Sequence, residues 1–137
     1  MTDERRAIVE HRLRRADEAL EDARVLARAS RWNPCVSRLY YACFHAVSAL
    51  LLLHGLSSSR HTGVRSLFNQ HFVRTDRVPR ALAQIYNDLF ARRQESDYVD
   101  FVRFEAAQVE PWMEDAEAFV GAISALVGHG DVSPALG

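Results

Sequence analysis

Apolar residues recur at steps of three and four along most of this 137-residue chain, which is the spacing of amphipathic helices. No segment shows the alternation of apolar and polar residues that is typical of a half-buried strand. The pattern predicts five helical segments, at about residues 3–29, 34–54, 60–73, 79–98 and 104–127. Residues 99–103 are expected to be extended or irregular. Pro111 falls inside the last pattern and predicts either a kink or a late start of that helix.

The connections between these segments are short, so successive helices are expected to be antiparallel neighbours in a bundle. A chain of this length fits one domain that buries its own core. The predicted fold class is therefore all-α, a five-helix up-and-down bundle. We expect one helical domain over residues 1–127 and a flexible tail over residues 128–137.

The second segment is apolar nearly all round, which is typical of a helix in the centre of a core. Asn33 suits an N-cap, Pro34 suits the first helical position, and Gly55 suits the left-handed residue after the helix end. The longest apolar run, residues 46–53, is interrupted by Ser48 and is too short to cross a bilayer. The N-terminus also lacks the pattern of a secretory signal peptide, so no membrane association is expected.

The second segment nevertheless carries a polar stripe, because four polar residues recur there at three- and four-residue steps. They are Arg38, Tyr41, His45 and Ser48. A guanidinium is costly to bury without partners, so the stripe should face a polar pocket, a cleft or a second chain. One interpretation is a nucleotide or phosphate pocket, in which arginine supplies charge, tyrosine stacks and histidine acts as a donor or an acid–base group. The other is a buried polar network that fixes the bundle register or a dimer interface.

Charge is unevenly distributed along the chain, although the formal net charge is only −1. Residues 31–103 contain ten arginines and five acidic residues, whereas residues 104–137 contain no arginine and six acidic residues. A basic middle section suits contact with a phosphate backbone or a nucleotide. Alternatively, the acidic last helix packs beside the basic section and neutralises it.

The two cysteines, Cys35 and Cys43, lie eight residues apart on one helix, about 12 Å along its axis and too far for a disulfide. Two buried free thiols indicate a reducing, cytoplasmic location. The six histidines form no HExxH motif and no other i,i+4 pair, and neither a metal nor a cofactor is predicted. Walker, dinucleotide-binding and nucleophile-elbow motifs are also absent.

The end of the fourth helix offers further candidate site residues. Arg93 and Asp97 form an i,i+4 pair there, between Arg92 and Tyr98. Two cations near a helix C-terminus complement its dipole, and this alone explains their presence. In the functional interpretation, Arg93, Asp97 and Tyr98 converge on the same cleft as the polar stripe of the second helix.

The start of the third helix is another candidate. Backbone N–H groups at a helix start can bind an anion, and Arg60 and His61 would assist, although a plain capped helix start explains them equally well. Arg65 and His71 lie further along the same segment. They are about 240° apart around a helix, so they are not expected to share a face.

Four stretches, in this order, resemble the HEPN superfamily, and specifically the small prokaryotic HEPN proteins that are paired with a minimal nucleotidyltransferase. They are Ser37–Ala46, His61–Val64, Phe72–Thr75 and Arg93–Tyr98. The resemblance implies a helical bundle, a homodimer and a role in a toxin–antitoxin-like module. In such modules the HEPN protein is often a metal-independent ribonuclease. The nucleotidyltransferase restrains it, in some cases by adding AMP to a tyrosine.

The catalytic signature of HEPN ribonucleases is an arginine, four to six arbitrary residues and then a histidine, placed late in the chain. Here no histidine follows Arg93 at that spacing, so the resemblance assigns only the arginine. For the tyrosine that receives AMP, the resemblance indicates Tyr98 as the counterpart. Metal-free RNA cleavage needs a group that exchanges a proton near neutral pH, which His45 or His61 would supply if the bundle brings it to the scissile phosphate.

The predicted catalytic residues are therefore Arg93, His45 and His61. The predicted nucleotide- or RNA-binding residues are Arg38, Tyr41, Arg60, Arg92, Asp97 and Tyr98. The expected function is that of a toxin–antitoxin-type HEPN protein that binds RNA or a nucleotide, and RNA cleavage is left open at this point. The alternative is a non-catalytic dimeric adaptor, or a binding subunit for the nucleotidyltransferase.

Overall fold

The computed structural model describes residues 2–132, and the side chains of residues 2–128. This part of the chain forms five α-helices and one π-helical turn, and it contains no β-strand. The helices are α1 (Asp3–Arg28), α2 (Trp32–Leu53), α3 (His61–Phe68), α4 (Arg80–Tyr98) and α5 (Ala106–Val132), and the π-helical turn covers Asn69–Val73. The predicted all-α, five-helix bundle is confirmed.

Helix α2 occupies the centre of the bundle, where it packs against α1, α4 and α5. Most of its residues are buried, including Tyr40 and Leu50, and its two cysteines, Cys35 and Cys43, are buried free thiols. The helix is long and apolar enough to cross a membrane by length and composition alone, but most of it is buried inside the bundle. This is the position that an apolar pattern around the whole helix predicts.

Contacts at both ends fix α1 and α2 as antiparallel neighbours. Near the start of α1, Arg5 donates hydrogen bonds from Nε and Nη2 to the carbonyl oxygens of Leu52 and Leu53, at 2.7 and 2.8 Å. Near the end of α1, the Ala23 carbonyl accepts a hydrogen bond from Cys35 Sγ at 3.4 Å. The last carbonyls of α2 have no partner within their own helix, so the Arg5 guanidinium also caps that helix.

Helices α3, α4 and α5 meet α2 in an aromatic core. Tyr86 of α4 stacks against Tyr40 of α2 and against Phe119 of α5, with ring centroids 6.0 and 5.8 Å apart. Phe68 of α3 approaches both Tyr86 and Phe119 edge-on. Stacked and edge-to-face pairs add to the free energy gained from burying the rings. These contacts anchor α3 and α4 against α2, close to the candidate site.

The start of α2 differs from the prediction. Arg31, and not Asn33, is the N-cap residue, and Pro34 occupies the third helical position instead of the first. The prediction for Asn33 is wrong because its amide bonds to a distant segment. Asn33 Nδ2 donates to the Val102 carbonyl at 2.8 Å, and the Phe104 N–H donates to Asn33 Oδ1 at 2.9 Å. We call these two hydrogen bonds the Asn33 clasp.

The end of α2 confirms the prediction for Gly55, which has a φ of 76°. Its N–H donates to the Leu52 carbonyl at 3.0 Å, and the Leu56 N–H donates to the Leu51 carbonyl at 2.8 Å. This pair of bonds is a Schellman motif, which requires the left-handed conformation that glycine adopts without strain.

The third helical segment is divided into α3 and the π-helical turn, and it starts one residue later than predicted. The Arg74 N–H donates to the Asn69 carbonyl at 2.9 Å, five residues back. The Thr75 hydroxyl donates to the His71 carbonyl at 2.7 Å. A π-helical turn inserts one extra residue into a helix, and here it leaves Phe72 buried.

The pattern predicted that the fourth helix begins at about residue 79. In the structure α4 begins at Arg80, and Pro79 is its N-cap residue. Residues 99–105 then form the irregular connection that was predicted for 99–103. Phe101 in this connection has a φ of 66°, and its side chain is fully exposed.

Helix α5 begins five residues before Pro111, so the alternative of a late start at this proline is wrong. The kink remains a prediction. The helix continues to Val132, past the predicted end at residue 127. Residues 133–137 of the predicted tail lie outside the described residues.

Replacing Asn33 by alanine should lower the free energy of unfolding by about 2 kcal/mol, because a partly buried N–H and a carbonyl both lose their partner. Urea denaturation measures this loss. Gln94→Ala is the matched control, since Gln94 is an exposed amide side chain with no hydrogen bond to any described residue. Equal stability of the two variants would show that the Asn33 clasp does not stabilise the fold.

Candidate functional site

The polar side chains of α4 and α2 meet at Tyr41. Arg93 Nη2 donates a hydrogen bond to the Tyr41 hydroxyl at 3.1 Å, and the guanidinium lies 5.3 and 5.2 Å from the ring centroids of Tyr40 and Tyr41. Arg93 Nε forms an ion pair with Asp97 Oδ2 at 3.1 Å, one helical turn further along. The Arg93 side chain is only 16% exposed, so these contacts fix its position.

His61 joins this group from the start of α3. Its ring stacks on Phe44 with centroids 4.2 Å apart and planes only 8° from parallel, and it meets the edge of Tyr41. Its Nδ1 lies 2.8 Å from the Tyr40 hydroxyl. We define the Tyr41 cluster as these six residues of α2, α3 and α4: Tyr40, Tyr41, Phe44, His61, Arg93 and Asp97.

The protonation of His61 follows from its surroundings. Burial raises the pKa of Tyr40 to about 12, so its phenol stays protonated at neutral pH. His61 Nδ1 is the partner of this hydroxyl, and which of the two groups donates depends on the tautomer of the imidazole. Burial, and then the charge of Arg93, lower the pKa of His61. The imidazole is therefore uncharged at neutral pH.

The polar stripe of α2 continues on both sides of Tyr41. The Arg38 guanidinium lies 4.6 Å from the Tyr41 ring centroid, which is a cation–π contact. His45 lies one turn further along, with its ring 6.1 Å from that of Tyr41 and 5.6 Å from that of Phe44. His45 and Ser48 are buried, and both line a hollow together with Arg12 of α1. The stripe therefore connects the Tyr41 cluster to α1.

Besides Arg38, which contacts the Tyr41 ring, three of the predicted binding residues lie outside the Tyr41 cluster. Arg92 points to α5, where its guanidinium lies 3.9 Å from the Trp112 ring. Tyr98 is 73% exposed and makes no ring contact or hydrogen bond with the cluster in the described residues, so its convergence on the cleft with Arg93 stays a prediction. Arg60 is exposed and precedes the first residue of α3, with its backbone N–H donating to Ser58 Oγ at 3.2 Å.

The pair Arg65 and His71 does not form a site. The Arg65 guanidinium lies 4.1 Å from the Phe90 ring, which places it against α4. His71 lies in the π-helical turn, and no contact joins it to Arg65. Among the side chains of residues 2–128, no three from histidine, cysteine, aspartate or glutamate come close enough together to hold a metal ion.

The acidic helix α5 does not neutralise the basic middle section through ion pairs in the described residues. Its Glu117 instead pairs with Arg24 of α1 at 3.2 Å. Arg92 of the basic section contacts α5 through the Trp112 ring and not through a carboxylate. The positive charges around the Tyr41 cluster are therefore balanced locally by Asp97 alone among the described ion pairs.

Sequence reasoning missed residues that contribute to this region. Tyr40 and Phe44 read as ordinary core residues, because an aromatic side chain on an apolar helix gives no separate signal. Arg12 and Arg15 of α1 were not assigned a role. Their spacing of three residues, beside the apolar seam of α1, was a signal that two cations border the core.

The buried imidazole of His45 predicts a dependence of stability on pH. Burial, and then the charges of Arg15, Arg38, Arg12 and His61, lower the pKa of His45 to about 4. Between pH 6.5 and 4 the unfolded chain therefore binds more protons at this residue than the folded chain does. The contribution of His45 to the free energy of unfolding is therefore fully present above pH 6.5, and it is lost as the pH falls from 6.5 to about 4.

Relative to His45→Gln, the wild-type protein should lose roughly 3 kcal/mol of unfolding free energy between pH 7 and pH 4. Urea denaturation at a series of pH values measures the difference. The variant is a suitable reference because His54 and His61, whose pKa values burial also lowers, are present in both proteins. Parallel stability curves would show that His45 is not held neutral.

Sequence comparisons agree with this architecture. The family described as HEPN domain matches residues 9–126. A protein of Thermotoga maritima named "UPF0332 protein" is 44% identical over 124 residues, which cover 90% of this chain and 94% of that protein. Two proteins of Methanocaldococcus jannaschii named "Putative toxin" are 32% identical over 108 residues and 27% identical over 112 residues. These matches cover 79% and 82% of this chain, and 80% and 76% of those proteins. The chain belongs to the HEPN family.

Proposed function

We propose that this protein is the RNA-binding HEPN component of a toxin–antitoxin-like module, and that the Tyr41 cluster holds a phosphate of the RNA. The observation that carries the proposal is the Arg93 guanidinium, which is fixed by the Tyr41 hydroxyl and by Asp97 beside an aromatic surface. The names of the two relatives in Methanocaldococcus jannaschii support the toxin-like role.

The chemistry of the cluster suits an RNA strand. Arg93 keeps one terminal nitrogen that makes no hydrogen bond to the described residues, and guanidinium N–H groups match phosphate oxygens in geometry. Arg38 adds a second cation over the same tyrosine ring. Tyr41 and Phe44 are only half-buried, and such rings stack with the unpaired bases of single-stranded RNA.

A second candidate function, metal-independent cleavage of the bound RNA, is favoured by the state of His61. A neutral imidazole can accept a proton near neutral pH, and when Nδ1–H of His61 donates to the Tyr40 oxygen, the Nε2 lone pair is free for this role. The charge of Arg93, which lowers the pKa of His61, would stabilise the negative charge that develops on the phosphate oxygens. His61 would thus supply the histidine that the late segment of the chain lacks. His45 faces α1 and is not assigned to this step.

The expected partners rest on the resemblance to HEPN proteins of paired modules. We propose a homodimer, a cytoplasmic location, and a minimal nucleotidyltransferase as the partner protein. Tyr98 is 73% exposed on the last turn of α4, which makes its hydroxyl accessible to a partner enzyme that adds AMP. Co-expression with the nucleotidyltransferase, followed by mass spectrometry of the wild type and Tyr98→Phe, checks this assignment.

Replacing Arg93 by glutamine should weaken the binding of a single-stranded RNA about tenfold or more, because a charge-assisted contact to phosphate is lost. Arg80→Gln is the matched control, since Arg80 lies at the opposite end of α4 and is exposed. Fluorescence anisotropy with a labelled oligonucleotide at fixed salt measures both. Equal affinities of the two variants would contradict the proposed site.

Cleavage is tested on the same oligonucleotide in the presence of EDTA. His61→Gln should reduce the rate of cleavage by about a hundredfold or more, the range for loss of a general acid or base, while RNA binding changes much less. Circular dichroism confirms that the variant is folded. If the wild-type protein binds the RNA but does not cleave it, the protein is a binding subunit and not a ribonuclease. If it neither binds nor cleaves the RNA, the interpretation as a non-catalytic adaptor is favoured.

A further inference from the structure

A second polar hollow lies between α1, α2 and the loop that joins α2 to α3. Its volume is about 180 Å³. The polar residues that line it are Arg12, Arg15, His45, Ser48, Ser57 and Ser58. The loop and α1 provide most of this polar lining, and neither contributes to the Tyr41 cluster.

The hollow is positively charged, and no acidic side chain lines it. Arg12 is half-buried, and its Nη1 donates to the Ser48 carbonyl at 3.2 Å. Burial lowers the pKa of Arg12. Among the described residues neither Arg12 nor Arg15 lies within ion-pair distance of a carboxylate, although Glu18 follows three residues after Arg15 on the same helix. Two guanidiniums therefore face one hollow without a counter-charge.

The pKa of His45 is consistent with a positive potential in the hollow. Burial lowers this pKa most, and the charges of Arg15, Arg38 and Arg12 lower it further. No acidic side chain is among the causes of this pKa shift. A group that carries negative charge would be attracted into this hollow, and it would relieve the repulsion among the cations.

The loop residues add hydroxyl groups at fixed positions. Ser58 Oγ accepts a hydrogen bond from the Arg60 N–H, so its own hydrogen is available to donate into the hollow. A side chain at Gly63 would collide with Ser58, so the glycine allows the loop to pack directly against α3. The hydroxyl is thereby held beside the two arginines.

We propose that this hollow is a binding site for a phosphoryl group, which Arg12, Arg15 and Ser58 hold by charge-assisted hydrogen bonds. Tetrahedral oxyanions with two negative charges match a set of guanidinium and hydroxyl donors around one cavity. The group comes either from a free nucleotide or from the backbone of an RNA strand. The site stands apart from the proposed function, because it requires neither Arg93 nor His61.

Pyrophosphate is the probe for the site itself. Isothermal titration calorimetry at constant ionic strength should detect its binding to the wild type, and Arg15→Gln should weaken it about tenfold. Arg14→Gln is the matched control, because Arg14 is an exposed arginine on the same helix that does not line the hollow. Arg14→Gln should leave the affinity unchanged. Equal weakening by both substitutions, or no binding to the wild type, would overturn the proposal.

Ser58→Ala tests the hollow without any change of charge. It should weaken pyrophosphate binding several-fold, and unchanged affinity would remove the loop from the site. Because the Tyr41 cluster is also proposed to hold phosphate, the decisive quantity is the part of pyrophosphate binding that Arg15→Gln removes, and the Arg93→Gln variant should retain it. If Arg93→Gln removes that same part, the phosphate lies in the Tyr41 cluster and the second site does not exist. Failure of RNA binding at Arg93 leaves the pyrophosphate result untouched, so the two proposals fail separately.

Two further titrations identify the source of the phosphoryl group. ATP binding that depends on Arg15 but not on Arg14 supports the site and assigns it to a nucleotide. The same dependence for a single-stranded oligoribonucleotide, with no binding of ATP, supports the site and assigns it to the RNA backbone. If neither ligand depends on Arg15, the proposal is wrong.

Discussion

The structure depends on burying α2 from several sides while the polar stripe of this helix lies against polar and aromatic groups of its neighbours. An unpartnered guanidinium or imidazole in such a position would cost several kcal/mol, on the order of a large part of the net stability of a domain. The bundle meets this constraint by bringing a different helix to each part of the stripe. Arg93 of α4 bonds to Tyr41, His61 of α3 stacks on Phe44, and α1 approaches His45.

The polar stripe of α2 connects two regions that differ in net charge, the Tyr41 cluster and the hollow beside His45. The Tyr41 cluster contains one cation that is paired with Asp97, whereas the hollow beside His45 contains cations without an acidic neighbour. Phe44 belongs to both regions, because its ring supports His61 and also lines the hollow. Both regions place a neutral imidazole beside guanidinium groups, His61 in the Tyr41 cluster and His45 in the hollow. They differ in counter-charge, because Arg93 is paired with a carboxylate and the arginines that line the hollow are not.

Local features of the fold were predictable from sequence, and long-range ones were not. The helices follow from periodicity, and Gly55 follows from the backbone conformation that ends a helix. Asn33 failed as a cap because its amide bonds to residues about seventy positions away, which no local pattern encodes. In the site, spacing correctly placed Tyr41 and His45 on one face of α2. The four-residue step between them is about 6 Å along the axis, enough to bring different neighbours to each, and only tertiary packing decides which.

The Asn33 clasp has a consequence for how this protein can vary in length. It ties residues 102–104 to the first turn of α2, so the path from there into α5 is fixed relative to the core. Residues 99–101 are exposed, and they are the segment between the clasp and the last turn of α4 that no hydrogen bond ties to the core. Residues inserted there can extend into solvent and leave Arg93 and Asp97 in place. An insertion within 102–104 would instead shift α5 against the core and destabilise the whole bundle.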